Sequence, residues 1–195
     1  MSTFRDDDLT HLEAHGIPAL PAPDRSGYVE NENARIWYAS FGAGPPVVLL
    51  HGGLGDAGNF GHQVPALVAA GYRVIAVDSR GQGRSSRDGR PYSYQLMASD
   101  VRAVMDDLGI GQAAFVGWSD GADIALVLAH DTPERVGGIF FFACNVDAAG
   151  TLPFVFTDRI GRIYNHHVRD YAALSPAPGA FETMRDDLGV MQKAE

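Results

Sequence analysis

Cysteine is almost absent. Cys144 is the single one in 195 residues, so no intramolecular disulfide can close and no cysteine-rich zinc site can form. A disulfide-stapled secreted scaffold is excluded, and a reducing cytosol is the expected compartment. Long apolar runs are missing too. The longest, residues 139–144, falls far short of the roughly 20 residues that span a bilayer, and reads as a buried strand. The first residues, Met1-Ser-Thr-Phe-Arg-Asp-Asp-Asp8, are acidic where an export signal needs a basic segment followed by an apolar one. Positive charge is in deficit. Fifteen Lys and Arg against 24 Asp and Glu leave a net charge of −9, which repels phosphate backbones and acidic lipid, so neither nucleic acid nor a membrane is an expected partner. No ligand spacing such as H-E-x-x-H is present, and no metal or cofactor is implied.

What is present is enough apolar sequence, 46% of residues, to build one packed core. Residues 1–26 carry Pro18, Pro21 and Pro23 and no sustained period, and read as a loosely docked N-terminal arm. Residues 34–41 alternate in part, like an outer antiparallel strand. Four short, nearly all-apolar runs follow, at 46–51, 72–78, 113–118 and 136–144, as expected of strands covered on both faces. Helical periods at 59–70, 94–108 and 120–130 separate them. This alternation predicts an α/β core over residues 27–150, a doubly wound, mostly parallel sheet with functional residues at the carboxyl ends of its strands. Residues 151–195 carry two amphipathic stripes, split by Ser175-Pro-Ala-Pro-Gly179, and predict two helices.

Two segments carry chemistry. Gly117-Trp-Ser-Asp-Gly121 is a G-x-S-x-G pentapeptide between a predicted strand and a predicted helix, where flanking glycines permit a sharp turn that exposes the serine oxygen. Ser119 then stands at a helix start, where free N–H groups and the helix dipole favour a developing oxyanion. The plainer reading is a serine helix cap between turn glycines. Leu50-His-Gly-Gly-Leu-Gly55 is a bare-backbone loop at the end of an adjacent strand, and Gly53 is the candidate for a second N–H donor beside that of Asp120. His51 reads as a turn residue whose side chain supports this loop.

His51-Gly52-Gly53, Asp78-Ser-Arg-Gly-Gln-Gly-Arg-Ser85 and Gly117-Trp-Ser-Asp-Gly121, in this order at strand ends, resemble the α/β-hydrolase superfamily. The resemblance covers residues 27–150 closely, with 151–195 similar to the start of a helical cap. It implies a nucleophilic Ser119, an oxyanion hole from the N–H groups of Gly53 and Asp120, and an ester-like or related small substrate. Gln82 stands where the family often has histidine, a change expected to have no catalytic effect. The family places its catalytic acid and histidine on later strands, which would need about 60 further residues. The general base is therefore expected to be absent from this chain, and the last strands of the family fold with it. A substitute set of Ser119, His167 and Asp147 is conceivable. His130, about three helical turns from Ser119, is too distant.

Two other readings stand beside this one. Gly53-Leu-Gly-Asp-Ala-Gly58 is formally a G-x-G-x-x-G, with Asp78 placed 20 residues on to hold a ribose, which would make a dinucleotide-dependent oxidoreductase. A non-catalytic binding module on the hydrolase scaffold is the other. If no strand covers residues 136–144, they form an apolar sheet edge, and self-association through it is expected unless the cap helices or a second polypeptide cover it.

Overall fold

The computed structural model describes residues 15–144 and 155–194. Six strands form one sheet in the order β1-β2-β4-β3-β5-β6: β1 (Arg25–Asn31), β2 (Ala34–Phe41), β3 (Pro46–Leu50), β4 (Arg73–Val77), β5 (Ala113–Trp118) and β6 (Val136–Phe142). β1 and β2 are antiparallel, β2 runs antiparallel to β4, and β3 to β6 are parallel. The predicted α/β class with a doubly wound, mostly parallel sheet holds. β3 and β4 are central and buried over four of their five residues, as their unbroken apolar sequence requires.

Because side chains alternate across a strand, the sheet generates two cores. On one face Val48, Leu50, Ile75, Val77 and Phe115 meet Met97, Val101 and Val104 of helix α2 (Tyr94–Asp107) and Ile124 and Leu128 of helix α3 (Asp120–Asp131). On the other, Val47, Leu49, Val74 and Ala76 meet Phe60 and Val64, the latter on helix α1 (Gln63–Ala69). Helices α4 (Asp158–Leu174) and α5 (Phe181–Ala194) complete the chain. α5 buries Phe181, Met184, Leu188 and Met191, one stripe at helical spacing, in the first core.

Three expectations change. The arm ends early, because Arg25 and Ser26 already belong to β1. This strand pairs with β2 along its whole length but buries no residue fully, so its sequence lacks an apolar signature. The helix expected over 59–70 divides into a 3-10 turn, Ala57–Phe60, capped by the Asp56 side chain, and the shorter α1. The run 139–144 is not buried. β6 is the outer strand, and Phe140, Phe141 and Phe142 are 65%, 46% and 41% exposed, on both sheet faces.

One buried ion pair ties α2 to the antiparallel edge. Arg80, with its side chain 1% exposed, donates from Nε and Nη2 to Asp100 at 2.9 and 2.5 Å, and Nη2 also reaches the Asn31 carbonyl at 3.1 Å. Asn31 Nδ2 donates to Asp100 at 2.8 Å. Removing one partner strands a desolvated charge, so Asp100→Ala is expected to cost about 3–5 kcal/mol in urea unfolding. A loss under about 1 kcal/mol would show that Arg80 finds water instead.

Candidate active site

β5 ends at Trp118 and α3 begins at Asp120, leaving a single residue for the reversal. Ser119 makes it at φ 52° and ψ −127°, a backbone conformation that residues other than glycine rarely adopt and that costs about 1–3 kcal/mol. Its neighbours enforce the turn. Ser119 N–H donates to the Phe142 carbonyl at 3.1 Å, extending the β5–β6 pairing, and its own carbonyl accepts from Ala122 N–H at 2.7 Å. A Cβ on Gly117 would lie 2.5 Å from Ala122 Cα, and one on Gly121 would lie 2.1 Å from the Leu50 carbonyl oxygen. Only glycine permits this approach at both positions. Ser119 occupies the N-cap position yet makes no side-chain cap bond, so its hydroxyl is not consumed as an ordinary helix cap.

The loop after β3 lies against this turn. A Cβ on Gly52 would stand 3.0 Å from Ser119 Cβ, and one on Gly53 would stand 2.6 Å from Asp120 Oδ2. The loop is held by side chains from elsewhere. Ser79 N–H donates to His51 Nε2 at 2.9 Å, so the imidazole proton sits on Nδ1, which donates to the Gly52 carbonyl at 2.8 Å. Both ring nitrogens are thus occupied in supporting the loop, the role expected of His51. Leu54, at φ 69°, donates its N–H to Gln82 Oε1 at 2.8 Å. Gln82 is therefore a structural brace for this loop, a role that sequence reasoning missed. Among the described residues no acceptor takes the N–H of Gly53 or of Asp120.

Asp78 is fully buried and spent. Its carboxylate accepts from the N–H groups of Ala57 and Arg84, each at 2.7 Å, and from Arg84 Nη1 at 2.9 Å. Burial, then the nearby Asp56 carboxylate, pushes its pKa up. A ribose has no access to it, and the glycine motif leads into a one-turn 3-10 segment, Ala57–Phe60, instead of a phosphate-binding helix. The dinucleotide reading fails on both counts.

Beneath the turn lies an acidic cluster. Asp120, 4% exposed, accepts from Tyr94 Oη at 3.1 Å and from Gln192 Nε2 at 2.9 and 3.0 Å to its two oxygens. Burial pushes Asp120 up, and it pushes the neighbouring Asp123 to about 6, with the Asp120 charge adding to the shift. Cys144 shares a hydrogen bond with Asp123, and burial with that carboxylate raises its thiol to about 11. It is held as a thiol. Asp120 and Asp123 lie in the first turn of α3, where the helix dipole favours negative charge.

A cavity of about 790 Å³ opens beside the turn, walled by Trp118 and Phe142, by Ile17 and Leu20 of the N-terminal segment, and by His166 and His167 of α4. The segment docks tightly, since a Cβ on Gly61 would meet the Pro18 carbonyl. His167 has an Nδ1 without a partner, and burial pushes its pKa down. The structure thus brings Ser119, Gly53 and Asp120 together and sets His167 on the cavity wall. His130 lies in the last turn of α3, away from Ser119, and Asp147 lies outside the described residues.

Residues 45–177 match a family model described as the alpha/beta hydrolase fold. Epoxide hydrolase B of Mycobacterium tuberculosis is 45% identical over 98 residues, covering 49% of this chain and 28% of that protein. Zearalenone hydrolase of Cladophialophora bantiana is 32% identical over 179 residues, covering 86% of this chain and 64% of that protein. Among solved structures, Est816, described as an N-acyl homoserine lactone degrading enzyme, aligns with a TM-score of 0.62 at 29% identity, covering 84% of this chain and 65% of that one. The chain spans between about a quarter and two thirds of the length of these relatives.

The backbone at position 119 generates a prediction on stability alone. Ser119→Gly relieves the left-handed strain and is expected to raise the melting temperature by roughly 2–4 °C, the equivalent of about 1 kcal/mol at this chain length. Ser119→Ala keeps the strain and is expected to leave it unchanged. Calorimetry giving both variants the same melting temperature would remove strain from the account of this turn.

Proposed function

The chain belongs to the α/β-hydrolase family, and from that premise we propose that its fold is built for acyl transfer from a small ester, lactone or related carbonyl substrate through Ser119. The observation that carries this is the turn itself: a strained serine, uncapped, set against a glycine loop whose Gly53 N–H, like that of Asp120, has no acceptor among the described residues. Residues 151–195 are assigned to a partial helical cap over the core, which begins at β1, and the residues before Arg25 to the arm. In the proposed reaction Ser119 Oγ bonds to the carbonyl carbon while its proton passes to a cavity water acting as base, and the two amides receive the developing oxyanion. The carbonyl then re-forms, the alcohol leaves with the proton, and water cleaves the acyl ester. His51 is not that base, because both its nitrogens are engaged.

Several relatives are named for epoxides, but the residue at position 119 argues for a carbonyl instead. A serine oxygen opening an epoxide forms an alkyl ether, which water does not cleave at neutral pH, and the enzyme would stop after one turn. A serine ester is hydrolysable. The chain is therefore expected to take one fluorophosphonate equivalent at Ser119, Oγ displacing fluoride from phosphorus, and to show no catalytic turnover of styrene oxide. Intact-mass spectrometry of the protein and its Ser119→Ala variant is the test. No adduct, or an adduct that persists in the variant, would leave the non-catalytic binding module as the better reading.

The open edge of β6 supports a second proposal, that the chain self-associates through it. Among the described residues no strand pairs with its outer side, which lies beside three exposed phenylalanines, an arrangement that favours strand addition. Sedimentation velocity at micromolar concentration should give dimers or larger species, and Phe140→Lys should shift them to monomer. A monomer at every concentration would overturn this.

A further inference from the structure

Resting on the proposed role of Ser119, we infer that Gln192, on the last turn of α5, is a positioning residue that sets the oxyanion hole by holding the Asp120 carboxylate, packed against Gly53, off the Gly53 N–H. Asp120 has two functions on this geometry. Its N–H faces the site, while its side chain turns back beneath the loop, where the Gly53 backbone leaves room for it only because no Cβ is present. A Cβ there would fall 2.6 Å from Asp120 Oδ2 and 3.1 Å from Gln192 Nε2. Both proposed amide donors therefore rest on one carboxylate and one amide.

The carboxylate needs both of its clamps. It is desolvated, and its hydrogen-bond donors are Tyr94 Oη from α2 and Gln192 Nε2 from α5, which spans both oxygens at 2.9 and 3.0 Å. No Arg or Lys shares an ion pair with it among the described residues. Buried carboxylates with a missing donor seek another, and the Gly53 residue packed against this one carries an N–H with no acceptor among the described residues. Without Gln192 the carboxylate competes for the hole that a substrate oxygen must enter. Gln192 is otherwise exposed, whereas its neighbour Met191 sits in the core, so α5 is anchored by its apolar stripe and not by this amide. Docking of α5 on the core thereby completes a site 72 residues earlier in the chain.

The test compares the rate of fluorophosphonate addition to Ser119 in the protein, in Gln192→Leu and in Gln192→Glu, between pH 5 and pH 8. Leu fills the same volume without a donor and is expected to slow labelling about tenfold. That is less than the roughly 10²–10³ lost when an oxyanion donor itself is removed. Glu places a second carboxylate against Asp120. At pH 8 the two repel and labelling is expected to be as slow as in the Leu variant. Towards pH 5 the pair shares a proton, the donor is restored, and the rate should return to within about threefold of the unaltered protein. A role confined to stability would lower the melting temperature of both variants without this pH-dependent recovery. Equal labelling of all three proteins, or a Gln192→Glu rate that tracks Gln192→Leu at every pH, overturns the proposal while leaving Ser119 as nucleophile. Absence of labelling in the unaltered protein overturns both.

Discussion

The site depends on one close approach of backbone to backbone. The first turn of α3 presses on the carboxyl end of β3 so tightly that a Cβ on Gly121 would meet the Leu50 carbonyl at 2.1 Å, and the loop beyond Leu50 folds over Ser119 in turn. This contact fixes the distance between the glycine loop and the strained serine. It also explains why the strain at Ser119 persists: β6 holds its N–H, α3 holds its carbonyl, and no relaxed conformation satisfies both. The close packing of the candidate site follows from the absence of side chains at Gly52, Gly53, Gly117 and Gly121.

Around that contact the chain buries an unusual amount of negative charge, and each carboxylate is neutralised or bonded differently. Asp100 has a full guanidinium partner. Asp78 has two backbone N–H donors and one arginine nitrogen, and it thereby staples the loops after β3 and β4 together. Asp120 has only neutral donors, from two helices on opposite sides of the turn. Since desolvation of a charge costs more than a neutral hydrogen bond returns, the last is the least comfortable of the three, and it stands nearest the proposed chemistry. Such groups concentrate where function requires them.

Family membership and reaction are separate matters here. The relatives carry names for an epoxide and a lactone on one fold, so the fold by itself does not name the reaction. On the proposed reading, the serine at position 119 narrows the chemistry to intermediates that water can release. The cavity beside it, apolar at Trp118, Phe142 and Ile163 and polar along one side of α4, is where selection among carbonyl substrates would occur.

The amino-acid sequence alone determined the α/β class, the strand-end location of the glycine loop and of Ser119, and the family, because these rest on local periods and on short motifs whose steric demands are self-contained. Central strands such as 46–50 and 73–77 were legible because burial on both faces makes them uniformly apolar. β1 was not, since an exposed antiparallel strand has no such pattern, and the burial assumed for 139–144 depended on a covering strand that periodicity does not report. Gln82 was visible only as a departure from the family's usual histidine, with no hint of its bond to Leu54, and Gln192 carried no signal. Each is a polar side chain that bonds a residue 28 or 72 positions away, and nothing in the spacing of either distinguishes it from a solvated glutamine. The same holds for the tautomer of His51 and the occupied carboxylate of Asp78. Hydrogen bonds between distant segments are decided by where the packed elements come to rest, and only the tertiary structure contains that information.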